Sequence, residues 1–134
     1  MWDNAVSQAR KTLEAICFEI CEEEALAGKR PVSSLSLDEM LATIERSSLD
    51  IPKSLPKVMR SLQAFGNLAT HDQGESSTIN ENICISCLSM LDDLCNWFED
   101  QYLKDLKSNH NSDSYPKGEF NAQPSPSDSY ENQI

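Results

Sequence analysis

Ser54-Leu55-Pro56-Lys57-Val58-Met59-Arg60-Ser61-Leu62-Gln63-Ala64-Phe65-Gly66-Asn67-Leu68-Ala69-Thr70-His71 is the stretch whose reading decides the fold. Val58, Met59, Leu62, Phe65 and Ala69 recur at the three- and four-residue steps of a helix with one apolar face. Pro56 falls in the first turn, where its missing N–H does no harm. Gly66 interrupts the pattern at a cost of roughly 1 kcal/mol relative to Ala. A glycine inside a helical pattern marks close approach of another element to the backbone. Arg60, Asn67 and His71 share one stripe beside the apolar face. On a continuous helix Asn67 and His71 lie about 6 Å apart along the axis, and Arg60 lies about 16 Å from His71. Asn67 and His71 can therefore share a site, whereas Arg60 reaches it only with its long side chain or from a neighbouring subunit.

Three further helices follow from the same reasoning. Over residues 3–27, Val6, Ala9, Leu13, Ile16 and Ile20 form an apolar seam, with Asp3 as N-cap and Gly28 and Pro31 as the stop. A second stripe beside it carries Arg10, Glu14, Cys17 and Cys21. Glu22-Glu23-Glu24 opposes the helix dipole and reads as a solvated face. Ser36 and Glu39 have the spacing of a capping box. They open a short second helix to about Arg46 that buries Met40, Leu41 and Ile44. Pro52 disfavours helix at Ile51, so residues 47–54 connect. Thr78 and Glu81 make a second capping box, opening a fourth helix to about Leu106. Its two adjacent seams are Ile83, Cys87, Met90, Leu94, Trp97 and Cys84, Leu88, Leu91, Cys95, Phe98, Tyr102. Stripes this wide predict a central helix packed on more than one neighbour. The sum is an all-α four-helix bundle with three longer helices and a short second one.

After Ser108 the composition turns to Ser, Asn, Asp and Pro, with Tyr115, Phe120 and Tyr130 standing alone. Such a segment buries too little surface to offset chain entropy. The expected organisation is a helical domain over residues 1–107 and a disordered polar tail over residues 108–134. The lone aromatics of the tail are candidate partner-binding contacts.

With 11 basic and 22 acidic residues the net charge is −11. An acidic chain repels phosphate backbones, since nucleic-acid affinity rests on Lys and Arg displacing counterions. No apolar run approaches the ~18 residues of a membrane span, and Met1-Trp2-Asp3-Asn4 lacks a signal-peptide profile. A soluble cytoplasmic protein is expected. The five cysteines Cys17, Cys21, Cys84, Cys87 and Cys95 fall inside helical patterns, which points to reduced core thiols rather than disulfides or zinc ligands. With only His71 and His110 a histidine metal centre is not expected, and no cofactor is. There is no Gly-x-Ser-x-Gly elbow, phosphate-binding glycine loop or calcium loop.

The order Ala9-Arg10-Lys11-Thr12-Leu13-Glu14-Ala15-Ile16-Cys17, then Leu41, Ile44 and Ile51-Pro52, then Gly66-Asn67-Leu68-Ala69-Thr70-His71 resembles a widespread bacterial and archaeal helical domain family. That family stands alone or fused to restriction helicases and other defence proteins, and is grouped with the HEPN superfamily of four-helix bundles. The resemblance covers roughly residues 3–106. It implies, for the ribonucleases of that superfamily, an arginine, a polar residue directly after it and a histidine five positions from the arginine, working across a dimer on the RNA 2′-hydroxyl. Asn67 matches the polar position and His71 the histidine, while Gly66 stands where the arginine belongs. Glycine cannot neutralise a developing phosphorane charge.

The expectation is thus a non-catalytic binding or scaffolding module linked to defence or nucleic-acid processing. Arg10, Glu14, Asn67 and His71, with Arg60, would form a polar network fixing helix register. Its partner would be a protein or a second copy of the chain, with RNA or a nucleotide less favoured and no membrane. The alternative is a metal-independent endoribonuclease, acting as a dimer through His71 and Asn67, with Arg10 or Arg60 supplying the guanidinium. A purely structural reading makes His71 a cation at a helix C-terminus.

Overall fold

The computed structural model of the chain describes residues 2–71 and 79–114, with side chains for 2–70 and 79–108. Every regular element among them is helical, and the four expected helices are present: α1 Trp2–Glu23, α2 Leu37–Arg46, α3 Ser54–His71 and α4 Glu81–Trp97. A 3₁₀ turn, Val32–Ser34, precedes α2, and a π-turn, Phe98–Tyr102, leads from α4 into α5, Leu103–Ser114. The chain divides into two compact units, Met1–Asn96 and Trp97–Ile134. No described helix is long and apolar enough to cross a membrane.

In the first unit α1 contributes Val6, Ala9, Leu13, Ile16 and Ile20 to the core, as its seam requires, together with Cys17 and Cys21 from the neighbouring stripe. Arg10 meets Asn67, and Cys17 feels the charge of Arg60, so rising numbers on α1 meet falling numbers on α3. The two helices are antiparallel neighbours. α2 opens with the expected capping box: Ser36 Oγ accepts from the Glu39 N–H at 3.1 Å and the Glu39 carboxylate accepts from the Ser36 N–H at 2.9 Å. It buries Leu37, Met40, Leu41 and Ile44.

α1 stops at Glu23, short of the expected residue 27, because its end is built as a Schellman turn. The Leu26 N–H donates to Cys21 O at 3.0 Å and the Ala25 N–H to Glu22 O at 3.3 Å. That pairing needs a left-handed residue at its centre, and Ala25 supplies it with φ 52°. On α3 the buried positions are Leu55, Met59, Leu62, Gly66 and Ala69, while Val58 and Phe65 lie half-buried at the edge. The inward face is rotated from the expected one so that Gly66 points at α1.

α4 begins at Glu81 with Asn80 as N-cap, its Oδ1 accepting from the Ile83 N–H at 2.9 Å. The capping box expected from Thr78 is thus superseded, and Thr78 itself lies outside the described residues. Cys84, Cys87 and Leu94 are buried, Leu91 and Cys95 are half-buried, and Ile85 and Leu88 are exposed. Each seam thus has buried members, Cys87 and Leu94 in one and Cys84 in the other, while Leu88 of the second is exposed.

The second unit opens with a departure from α geometry. The Leu103 N–H bonds Phe98 O, five residues back, as in a π-turn. Residues five apart on an α-helix point about 140° away from each other. The wider turn brings Trp97 and Tyr102 side by side, ring centroids 5.6 Å apart, with Phe98 stacked on Tyr102 at 5.5 Å. α5 then runs through Lys107 to Ser114, across the expected boundary of domain and tail. A shift to polar composition removes apolar surface without removing backbone hydrogen bonds. The rest of the expected tail, residues 115–134, lies outside the described residues.

Ala25 holds a left-handed conformation that costs an L-residue about 1–2 kcal/mol, and its side chain is exposed. Ala25→Gly is expected to raise the unfolding free energy by about 1 kcal/mol in urea titrations, with the far-ultraviolet circular dichroism unchanged.

Candidate functional site

α1 presents Arg10 and Glu14 one turn apart, and α3 presents Gly66 and Asn67 against them. Gly66 is buried, and the reason it has no side chain is geometric. A Cβ built there would stand 2.6 Å from Arg10 Cβ and Cδ and 2.8 Å from its Cγ. The methylenes of Arg10 therefore lie directly on the α3 backbone, in the space a larger residue would fill. From that position Nε of Arg10 donates to Asn67 Oδ1 at 3.1 Å, and Nη1 donates to Glu14 Oε2 at 3.3 Å. Next to it, Thr70 Oγ1 donates back to Gly66 O at 2.9 Å.

The structure thus joins Arg10, Glu14 and Asn67 of the expected network. His71 ends α3, but its side chain lies outside the described ones, as does Asp72. The Arg10 and Glu14 side chains are 28% and 39% exposed, so their ion pair is screened and contributes only about 0.3–0.5 kcal/mol. Its importance is geometric: it fixes where the guanidinium sits. Among the described residues, Nη2 of Arg10 and the carboxamide nitrogen of Asn67 have no partner.

Arg60 belongs to a different cluster. Its Nε and Nη2 form a fork on the Glu45 carboxylate, both at 2.9 Å, and Nη1 reaches Asp38 Oδ1 at 2.7 Å and Gln63 Oε1 at 3.0 Å. These bonds tie α3 to α2, not to Asn67. Two turns of helix, about 10 Å, separate Arg60 from Asn67, and the acidic face of α2 lies nearer. Asp38 and Glu45 were not foreseen as partners, although their spacing of seven places both on one stripe of α2. Arg60 holds the Asp38 and Glu45 carboxyls below their usual range, through hydrogen bonds first.

All five cysteines are free, and four are buried. Burial above all, with Cys21 and Glu14 adding, pushes the Cys17 thiol up to about 12. Burial raises Cys21 and Cys87 as well. Thiols that stay protonated are poor nucleophiles and poor metal ligands. Among the described residues no three His, Cys, Asp or Glu side chains converge as a metal site. Compared with family models, curated proteins and solved structures, the chain matches none.

The carboxyls paired with Arg60 release their protons more readily in the folded chain than in the unfolded one. Their contribution to stability is fully present above roughly pH 5, the upper end of unfolded carboxylate titration, and is lost as pH falls through their lowered folded values. Arg60→Met is expected to flatten the loss of stability between roughly pH 5 and pH 3 in thermal melts at stepped pH. A wild-type profile no steeper than that of the variant contradicts the assignment.

Proposed function

We propose that this chain is a non-catalytic helical binding or scaffolding module of the HEPN-like kind, engaging a protein partner or a second copy of itself. The observation that carries the reading is the placement of Arg10. Its stem is spent on packing against Gly66, and its head group is already engaged by Asn67 and Glu14. A phosphate reaching this guanidinium meets the Glu14 carboxylate at the same point, in a chain of net charge −11. Electrostatic stabilisation of a phosphoryl transition state requires the opposite: unopposed donors aimed where negative charge develops. The arrangement favours holding α1 and α3 in register over cleaving RNA.

One observation favours the second reading, a metal-independent endoribonuclease acting through His71 and Asn67. Arg10 brings a guanidinium to 3.1 Å from Asn67, beside the Gly66 position where the resemblance places an arginine. The two readings separate in one assay. Single-stranded RNA labelled at its 5′ end is incubated with wild type, His71→Ala and Arg10→Ala in chelator-containing buffer. The expected outcome is no cleavage above background by any of the three. Cleavage by wild type that both substitutions abolish would establish the nuclease and end the non-catalytic reading.

A further inference from the structure

We draw no further inference here: the strongest candidate, the apolar groove along α5 lined by Glu99, Leu103, Lys104, Leu106 and Lys107, lies on one stretch of helix, and nothing in the structure shows what covers it.

Discussion

Where α1 crosses α3 nothing projects from α3 to hold the helices apart, because Gly66 offers only backbone, and Arg10 lays its methylenes across the gap. Two antiparallel helices can slide along each other unless some contact fixes their register, and interdigitation of this kind is such a contact. The polar end of the same side chain then closes on Asn67 and on Glu14. One residue thus sets both the approach of the helices and the orientation of the polar groups beside them. An apolar seam, with Leu13, Ile16 and Ile20 of α1 and Leu55, Met59 and Leu62 of α3 all buried, supplies burial energy in addition. It would tolerate more than one alignment; the Arg10–Gly66 contact would not.

The two arginines of the core region divide the work of orienting α3. Arg10 joins it to α1, and Arg60 joins it to α2 through a fork on Glu45 and a bond to Asp38. Neither pair is deeply buried, so neither is a large source of stability. Both direct packing more than they drive it. This division bears on function, since an arginine committed to architecture on one side and neutralised by a carboxylate on the other makes a poor phosphate ligand.

Much of the fold was legible because it depends on local periodicity and caps. Ser36 and Glu39 announced the start of α2, and Val6 through Ile20 announced the core face of α1. The close approach at Gly66 was legible too, since a glycine inside an apolar pattern costs stability that a neighbour must justify. What could not be read were features set by three-dimensional competition. The left-handed turn at Ala25 uses a residue with no preference for it, and Asn80 caps α4 ahead of the more obvious Thr78. Arg60 shared a stripe with Asn67, yet its guanidinium was claimed by the carboxylates of α2, which sequence order alone does not place nearby. Of the candidate site, the meeting of Arg10, Glu14 and Asn67 followed from stripes on two helices, whereas the Asp38–Glu45 cluster needed the packing of α2 on α3.

The central claim is that Gly66 is required because Arg10 fills its space, and the unfolding free energy of Gly66→Ala tests it most directly. A helical glycine free of such contact gains about 1 kcal/mol on replacement by alanine. Overpacking a filled contact costs about 1–3 kcal/mol. With the new Cβ 2.6 Å from Arg10 Cβ, the account predicts that the substitution lowers stability, by up to about 2 kcal/mol after the propensity gain. A more stable Gly66→Ala chain would contradict it.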